Sequence, residues 1–448
     1  MKSNLPKVLH RLAGVTLIEH VLHTADALRP ASTVVVVGYG AAEVRAALAA
    51  RTDLAFAEQP SQLGTGHALL QAEPALRGKT GAVLLLYADV PMLQPATLSR
   101  LLETHRNARA AATVLTTELA DPYGYGRIVR DEHGRITGIV EERDASAEVR
   151  AIKEVNSGIY VFQLKGLFDS LNSIASDNAQ GEYYLTDLVA MYYHQKRKFE
   201  TLCLDNADEL RGVNSRVDLA ELSRLMRAGK AREVMLAGAT LEDPATTFID
   251  AGVKIGPDTI VGPAVRLEGT TTIGERCRIH AGSRLTNARI GDDVTILDYT
   301  IVVNSTVANG AALGPFSHIR PDSSVGERAH VGNFVELKKT SLGKGSKANH
   351  LAYLGDATIG AQVNIGAGTI TCNYDGATKH PTIIEDGVFI GSDSQLIAPV
   401  TIGAGAYVGA GSSITRDVPA DALALARARQ ETKPGWAAQR RASRAKKD

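Results

Sequence analysis

The chain has 448 residues, of which 44% are hydrophobic, and its 49 basic and 49 acidic side chains leave a formal net charge of zero. This length predicts about two or three domains, and a neutral chain is a poor candidate for non-specific nucleic-acid binding. No stretch approaches the roughly 18 consecutive apolar residues of a membrane span, and no signal-peptide core is present. We therefore expect a soluble, cytoplasmic protein without membrane or nucleic-acid partners. Its scattered cysteines fit no metal or disulfide spacing and are predicted to be cytosolic thiols: Cys203, Cys277 and Cys372.

The first half of the chain has the pattern of an α/β domain. Hydrophobic runs at 32–38 and 81–89 predict buried parallel strands. Segment 126–141 predicts a β-hairpin with its turn at His133 and Gly134. Helical patterns lie at 15–28, 41–50 and 95–108. Alternating strands and helices predict a layered, Rossmann-like domain built on a parallel sheet.

A polar helix near 215–236 is predicted to link this domain to a second one with a different pattern. From about residue 250, aliphatic residues recur every six positions, and this period is typical of a parallel β-helix whose inward aliphatics fill a prism. The three registers are Ile255, Val261, Leu267, Ile273, Ile279 and Leu285, then Val307, Leu313, Ile319, Val325, Val331 and Leu337, then Ile384, Ile390, Leu396, Ile402, Val408 and Ile414. Segment 371–382 breaks the period and is expected to loop out.

The predicted boundaries follow from these changes of pattern. We expect an α/β domain at 1–214, a linker helix at 215–246, a β-helix domain at 247–426 and a basic tail at 427–448. The tail has the composition of a solvated segment, although Trp436 favours docking of part of it; both interpretations stay open.

Residues near the interruption of the β-helix suit acyl transfer to an amine. Only the free amine attacks, so a base is needed, and histidine with an ordinary pKa of about 6.5 suits that task. His350 is the candidate base, and Arg320 and Lys338 offer the cations that a sugar phosphate needs. Taken alone, His350 is as well explained as a polar corner residue.

The α/β domain carries residues that suit nucleotidyl transfer, a reaction that positions polyanions around Mg²⁺. Asp89 ends a hydrophobic strand, where α/β proteins place ligands. The motif LGTG by itself is more often a plain turn. The basic, amide and loop candidates are Lys7, Gln59, Gln62, Gly64 and Thr65.

Together these strings resemble a bifunctional bacterial family that acetylates glucosamine 1-phosphate and then uridylylates the product. Segment 330–376 resembles the acetyltransferase half, and GYGRI, GIVE, NSG, GVNSR and NAQGEYYLTD at 178–187 resemble the uridyltransferase half. The resemblance covers essentially the whole chain. It implies a left-handed β-helix of hexapeptide repeats, a homotrimer, acetyl-CoA and UTP as co-substrates, and Mg²⁺. Its products would be pyrophosphate and UDP-N-acetylglucosamine, a precursor of peptidoglycan and lipopolysaccharide.

The resemblance also implies residue roles. In the acetyltransferase half, His350 would be the general base with the carboxylate of Glu336 nearby. Its sugar-phosphate contacts would be Arg320, Lys338, Tyr353 and Asn364. Its acetyl-CoA contacts would be Ala367, Asn373, Tyr374, Ser392, Ala410 and Arg427. In the other half, Asp89 and Asn214 would hold Mg²⁺. The UDP-sugar contacts would be Lys7, Gln59, Gln62, Gly64, Thr65, Tyr87, Ala88, Asp89, Gly126, Glu141, Asn156 and Asn214.

The start of the chain departs from the family pattern. Met1 coincides with the last residue of a loop of the form L-A-A-G-x-G-T-R-M, so about twenty residues with the first strand and the triphosphate-binding glycines are missing. We expect an apolar slot with unpaired backbone groups where that strand would lie. Two explanations stay open. Either the start codon is assigned too far downstream in the gene, or the protein is truncated and acts as an acetyltransferase alone. In both cases the chain as written is expected to show little uridyltransferase turnover.

Two other functions and one other mechanism stay open. A pyrophosphorylase for another sugar nucleotide would not need the strings at 178–187 and 366–376. A non-catalytic scaffold would be expected to have lost His350, Lys338 and Asp89. A covalent route through Cys372 is less expected than direct attack by the amine, because nothing in the sequence lowers the pKa of that thiol.

Overall fold

The computed structural model describes residues 1–176, 178 and 181–444. Ala179 and Gln180 of the motif at 178–187, and the last four residues of the predicted tail, lie outside the described residues. The chain divides into two compact units, Met1–Met226 and Arg227–Asp448. The division falls inside the long helix Arg216–Leu236, close to the helix predicted at 215–236. The domain boundaries given above remain predictions.

The first unit alternates short strands and helices. Its helices are α1 (Leu17–Asp26), α2 (Ala41–Ala47), α3 (Thr65–Leu70), α4 (Glu73–Leu76), α5 (Pro95–Ala108), α6 (Ala147–Arg150), α7 (Leu167–Leu171), α8 (Asp187–His194) and the shared α9 (Arg216–Leu236), with 3₁₀ turns at Lys7–Leu9 and Ala207–Leu210. Its strands are β1 (Arg11–Leu12), β2 (Val15–Thr16), β3 (Thr33–Val37), β4 (Leu54–Glu58), β5 (Ala82–Leu85), β6 (Ala112–Glu118), β7 (Arg127–Arg130), β8 (Ile136–Val140), β9 (Glu154–Gln163) and β10 (Phe199–Leu204).

The main sheet has six strands and is layered between helices. The order along one path is β10-β6-β9-β7-β8. β5 lies off this path and pairs with β9 on the edge opposite β6. Successive residues of β9 point to opposite faces. Val161 packs in a cluster with Leu98 and Leu101 of α5, whereas Tyr160 and Phe162 belong to a cluster with residues of α8. The predicted α/β class and the hairpin β7–β8 are confirmed.

The sheet itself is mixed, whereas the sequence pattern predicted a parallel sheet. β5 and β6 both run antiparallel to β9, and among the described strands of this sheet only β10 and β6 are parallel. β3 and β4 form a separate parallel pair. A strand covered on both faces has a continuous apolar run whichever way its neighbour points, so the sequence of β5 could not reveal its direction.

An apolar slot separates β3 from β5. Both strands line a cavity of about 1360 Å³, and residues of α1, α3 and α5 contribute to its walls. In the described part of the chain, β3 pairs only with β4 and β5 only with β9, so each has one edge without a strand partner. Val34, Val35 and Val36 are consequently half-buried, not buried as predicted. The slot agrees with the expectation drawn from the family pattern.

The second unit is built almost entirely from two- to four-residue strands. They are β11 (Thr240–Leu241), β12 (Phe248–Ile249), β13 (Lys254–Ile255), β14 (Ile260–Val261), β15 (Arg266–Glu268), β16 (Thr272–Ile273), β17 (Arg278–Ile279), β18 (Arg284–Thr286), β19 (Arg289–Ile290), β20 (Thr295–Ile296), β21 (Ile301–Val303), β22 (Thr306–Val307), β23 (Ala312–Leu313), β24 (His318–Ile319), β25 (Ser324–Val325), β26 (His330–Asn333), β27 (Glu336–Lys338), β28 (Ser341–Leu342), β29 (Lys347–His350), β30 (Tyr353–Gly355), β31 (Ala357–Ile359), β32 (Asn364–Ile365), β33 (Ile370–Cys372), β34 (Thr382–Ile384), β35 (Phe389–Ile390), β36 (Gln395–Ile397), β37 (Val400–Ile402), β38 (Tyr407–Val408), β39 (Ser413–Ile414) and β40 (Leu423–Ala424). The last helix is α10 (Trp436–Arg444).

These strands form three parallel sheets, the faces of a left-handed β-helix. The first face has eleven strands from β11 to β40, the second has ten from β12 to β39, and the third has nine from β13 to β37. Every third strand pairs in register, so that Leu267 lies on Leu285 and Leu285 on Val302. All the aliphatic residues of the three predicted registers are buried in one continuous core. The six-residue period therefore predicted both the fold and its inward side chains.

The segment that interrupts the β-helix follows the prediction, whereas both interpretations of the tail stay open. The rhythm is interrupted between Cys372 and Thr382, where an isolated bridge joins Tyr374 and Lys379. Trp436 begins α10 and is 55% exposed, in contact with Arg440. Within the described residues, α10 is exposed along its whole length.

Candidate functional sites

The imidazole of His350 is oriented by an amide from the preceding coil. Asn333 in β26 and His350 in β29 are register partners on the first face, and His350 Nδ1 lies 2.7 Å from Asn333 Oδ1. A carbonyl oxygen only accepts, so Nδ1 donates to it. Nε2 then carries the lone pair that can take a proton. The exposed His350 is thus held in the tautomer that a general base needs.

The carboxylate expected beside His350 has a different partner. Glu336 lies on the second face, where its Oε1 is 2.7 Å from Arg320 Nη1. The side chain that contacts His350 is Asn333, an amide. The ladder places Glu336 opposite His318 and Tyr353, and the expectation that its carboxylate lies near His350 stays a prediction.

Two lysines meet at the edge of the second face. The side chain of Lys379, in the segment that loops out, contacts Lys338, and this contact and charge lower the pKa of Lys379. Asn373 in the same segment donates to Asp356. The hydroxyl of Tyr353 lies close over Gly355, next to Asn373. Adjacent ammonium groups repel each other, so the pair favours binding of an anion such as phosphate.

The small residues implied in acetyl-CoA binding form a column with His350. Ala348, Ile365, Ile390 and Val408 are successive register partners on the first face. The residues two positions after each of them are His350, Ala367, Ser392 and Ala410. In-register parallel strands lie about 4.8 Å apart, so these four residues are stacked one coil above the other. Arg427 follows in the next coil, near Gly411.

The structure therefore divides the predicted acetyltransferase residues between two faces of the prism. Asn364 begins β32 on the first face, in register with Lys347. The second face and its loop hold Arg320, Glu336, Lys338, Tyr353, Asn373 and Tyr374. The first face and its corner hold His350, Asn364, Ala367, Ser392, Ala410 and Arg427.

Cys372 lies close to these groups but is not activated. It is half-buried at the end of β33, and burial raises the pKa of its thiol above the ordinary value. A thiol is a weak nucleophile compared with its thiolate. We expect Cys372→Ser to keep acetyl transfer within about twofold of the unchanged chain. Release of coenzyme A thiol from acetyl-CoA measures this, and complete loss of turnover would reverse the preference for direct attack.

Lys379 was not identified from the sequence, and its position makes it a further anion-binding candidate. We expect Lys379→Met to raise KM for glucosamine 1-phosphate about tenfold with little change in kcat, because a phosphate contact is lost. Lys344→Met is the matched control, since Lys344 pairs with Glu327 at 2.8 Å and is distant in sequence from the interruption. Equal KM values for the two variants would exclude a role for Lys379.

In the first unit, three residues far apart in sequence meet around one cation. Lys7 Nζ lies 2.5 Å from Asp89 Oδ2 and 3.1 Å from Asn214 Oδ1. Backbone contacts place the two oxygen donors: the Asp89 carbonyl accepts from Val213, and the Asn214 amide donates to Asp218. The two oxygens implied in Mg²⁺ binding therefore converge on one point.

The loop with the sequence LGTG is clamped by a neighbouring segment. Gly64 has φ of +104°, and a Cβ there would lie 2.8 Å from the carbonyl oxygen of Tyr183. Only glycine fits such a close approach. Gln59 donates to the Gly64 carbonyl at 3.1 Å, and Thr65 hydrogen bonds to Tyr87. Burial raises the pKa of Tyr87 to about 12.

Three further predicted contacts gather on the hairpin side of the sheet. The Asn156 amide donates to the Gly126 carbonyl at 2.8 Å. A Cβ on Gly126 would lie 3.3 Å from Glu141 Oε1, and burial raises the pKa of Glu141. The ring of Tyr87 covers Gly158, close to Asn156. Of the other predicted contacts, Gln62 lies beside Gly38, and Ala88 packs with the cluster around Val37.

Sequence reasoning missed the residues that support these groups. Arg127 is 2% exposed and donates to Glu142 at 2.7 Å and to the Tyr125 carbonyl, which anchors the neighbours of Gly126. A buried arginine has no sequence signal, because arginine is usually exposed. Asn333 precedes His350 by one coil, and counting coils would have paired them.

Comparison with known proteins agrees with this two-part organisation. Residues 1–155 match the MobA-like NTP transferase domain, and residues 252–287 and 381–416 match the bacterial transferase hexapeptide repeat. Among the described residues, no helix has the length and apolar character needed to span a membrane.

Several curated relatives are similar along nearly their whole length. The "Bifunctional protein GlmU" of Pelobacter propionicus is 48% identical over 97% of this chain and 95% of its own length. The protein of the same name from Koribacter versatilis is 48% identical over 100% of this chain and 96% of its own. The protein of this name from Heliobacterium modesticaldum is 48% identical over 97% of this chain and 94% of its own length. The chain therefore belongs to the bifunctional GlmU family, enzymes that join a uridyltransferase unit to a hexapeptide-repeat acetyltransferase unit.

Proposed function

We propose that His350 is the general base of acetyl transfer from acetyl-CoA to glucosamine 1-phosphate. The observation that carries this proposal is the contact between His350 Nδ1 and Asn333 Oδ1 at the head of the column formed by Ala367, Ser392 and Ala410. Nε2 takes a proton from the amino group as its nitrogen bonds to the acetyl carbon. The carbon–sulfur bond breaks and coenzyme A leaves as thiolate. The column offers an uncluttered surface along which an extended thioester can lie.

The sugar phosphate is proposed to bind on the second face. Lys338 and Lys379 supply two adjacent positive charges, and Arg320 and Tyr353 complete the set with donors from neighbouring strands. Asn373 and Tyr374 border this group and are proposed to contact the acetyl donor. Two ammonium groups in contact cost free energy until an anion bridges them, which favours a phosphate at this place.

A homotrimer is proposed as the working form. The two groups of acetyltransferase residues lie on faces that diverge, so a second copy is needed to enclose a ligand between them. An exposed aromatic column borders the His350 site: Tyr299, Phe316 and Phe334 stack with centroids 5.3 and 5.6 Å apart. Their φ angles are 54°, 55° and 58°, a strained region for bulky residues. Such a column buries little of its apolar surface within its own chain, and this favours its burial against another copy.

The uridyltransferase site is proposed to lie around Asp89. The donor set fits Mg²⁺ in kind: one carboxylate and one amide oxygen, from Asp89 and Asn214, converge on a cation position that the Lys7 ammonium occupies. The described residues form no group of three or more His, Cys, Asp or Glu suited to a metal, and Mg²⁺ commonly combines one or two carboxylates with waters and substrate phosphates. When bound, Mg²⁺ neutralises charge on the phosphates of UTP.

The remaining predicted residues are proposed to position the two substrates. Gln59, Gln62, Gly64, Thr65, Tyr87 and Ala88 would contact the nucleotide, and Gly126, Glu141 and Asn156 the acetylated sugar. A phosphate oxygen of N-acetylglucosamine 1-phosphate bonds to the α-phosphorus of UTP, and pyrophosphate leaves. The three free cysteines support a reducing compartment, the cytoplasm, as the place of action.

Two assays on the purified chain test the proposal. Glucosamine 1-phosphate should cause thiol release from acetyl-CoA. Pyrophosphate release from UTP in the presence of N-acetylglucosamine 1-phosphate measures the second activity, and robust release would overturn the expectation of little uridyltransferase turnover. Thiol release that does not depend on the amino sugar would contradict the first site. Pyrophosphate release at background would favour the alternative of an acetyltransferase alone. The mass in solution, about three times that of one chain, tests the trimer.

A further inference from the structure

The Lys7 ammonium lies where the proposed metal ligands converge. Its Nζ is 2.5 Å from Asp89 Oδ2 and 3.1 Å from Asn214 Oδ1, so it satisfies both oxygens at once. The side chains of Lys7 and Asp89 are 37% and 21% exposed. An ammonium group of the chain itself therefore contacts both proposed metal ligands.

The local backbone holds all three groups in place. Lys7 begins the 3₁₀ turn Lys7–Leu9, in which the Leu9 amide donates to the Pro6 carbonyl at 3.0 Å and the His10 amide donates to the Lys7 carbonyl at 3.2 Å. Asp89 and Asn214 are fixed by the contacts to Val213 and Asp218 described above. The ion pair thus joins residues that are positioned independently of it.

The positive charge of Lys7 disfavours binding of a divalent cation between the oxygens of Asp89 and Asn214. At Lys7 one carboxylate faces one ammonium. Asn214 has no formal charge of its own, and its backbone also contacts the Asp218 carboxylate and the Met1 ammonium. A divalent ion between the same oxygens would lie within a few ångströms of the ammonium and be repelled strongly. Mg²⁺ is in any case bound weakly by one carboxylate unless phosphates join the coordination.

We infer that Lys7 acts as an internal counter-ion that keeps divalent metal out of the uridyltransferase site in the absence of nucleotide and releases Asp89 and Asn214 when nucleotide phosphates attract its ammonium. Metal and nucleotide then bind with positive coupling, because each removes an obstacle to the other. The inference rests on the proposed metal-binding role of Asp89 and Asn214. It adds that Lys7 determines when the metal can enter.

Binding of Mn²⁺, followed by electron paramagnetic resonance, tests this on the full chain without any turnover. In the absence of nucleotide, Lys7→Met and Lys7→Gln are expected to bind Mn²⁺ at least about tenfold more tightly than the unchanged chain. Lys7→Arg keeps the positive charge and should remain as weak as the unchanged chain. Addition of UDP-N-acetylglucosamine should tighten Mn²⁺ binding in the unchanged chain, and by a smaller factor in Lys7→Met.

The outcomes separate the inference from the function beneath it. Equal Mn²⁺ affinity in Lys7→Met, Lys7→Gln and the unchanged chain overturns the counter-ion role, provided that Asp89→Asn weakens binding in the presence of UDP-N-acetylglucosamine. If Asp89→Asn leaves that nucleotide-dependent binding unchanged, the proposed metal site itself is wrong and the inference falls with it. Tighter binding in both neutral variants and not in Lys7→Arg supports it.

Discussion

Replacing His350 with alanine is expected to lower kcat for acetyl transfer by about 10²- to 10⁴-fold, the usual contribution of a positioned general base. The amino group of the substrate is mostly protonated at neutral pH, and without an acceptor at Nε2 the attacking amine must lose its proton to water. The KM values for both substrates should change little, because His350 acts on the reacting proton and other residues hold the phosphate. Thiol release from acetyl-CoA measures the effect.

Two companion variants make this measurement specific. His280→Ala removes a half-buried histidine that directly follows strand β17 of the first face, with Nδ1 4.0 Å from Asp298 Oδ2, and it should keep full turnover because His280 lies several coils before His350. Asn333→Ala removes the acceptor for Nδ1–H and should reduce kcat by a smaller factor, since the tautomer is then no longer held. Unchanged acetylation in His350→Ala would refute the catalytic role of His350.

The fold of the second unit was readable from sequence because its repeat is strict. Every six residues one aliphatic side chain must enter the prism, so Ile279 or Val408 is identified by its position alone. The pairing of Asn333 with His350 is a consequence of the same repeat, because residues one coil apart are register partners. The corner at which each side chain projects is harder to predict, since coils differ by one residue in length.

The first unit was less predictable for physical reasons. β5 has the apolar run of a buried strand, but its antiparallel direction depends on where β9 arrives in space. Lys7 and Asn214 are separated by 207 positions, and no local pattern places them at Asp89. Their grouping was expected only through resemblance to a family. Lys379 and Arg127 were missed because their roles depend on contacts, with Lys338 and Glu142, that sequence spacing does not encode.

Introducing a charge into the aromatic column is expected to separate the copies and abolish acetyl transfer together. Phe334 is 56% exposed, stacks on Phe316 and lies in the coil that precedes His350. In Phe334→Asp, a carboxylate would have to be buried against the neighbouring copy, a cost that apolar contact does not offset. We expect the molecular mass in solution to fall from about three times the mass of one chain to the mass of a single chain. Turnover should fall at least about 100-fold, because the site loses one wall and its substrates lose their alignment.

The value of this variant is that it leaves the catalytic residues untouched. The contact between Asn333 and His350 lies on the first face and does not involve the Phe334 ring, so loss of turnover would come from loss of the partner copy. Tyr39→Asp provides the control, since Tyr39 is 72% exposed in the first unit and should affect neither mass nor acetylation. A Phe334→Asp chain that is monomeric and fully active would show that one chain contains the whole site. A trimeric and active one would place the interface elsewhere on the prism. A site completed by a second copy is supported only if Phe334→Asp both dissociates the trimer and loses acetyl transfer.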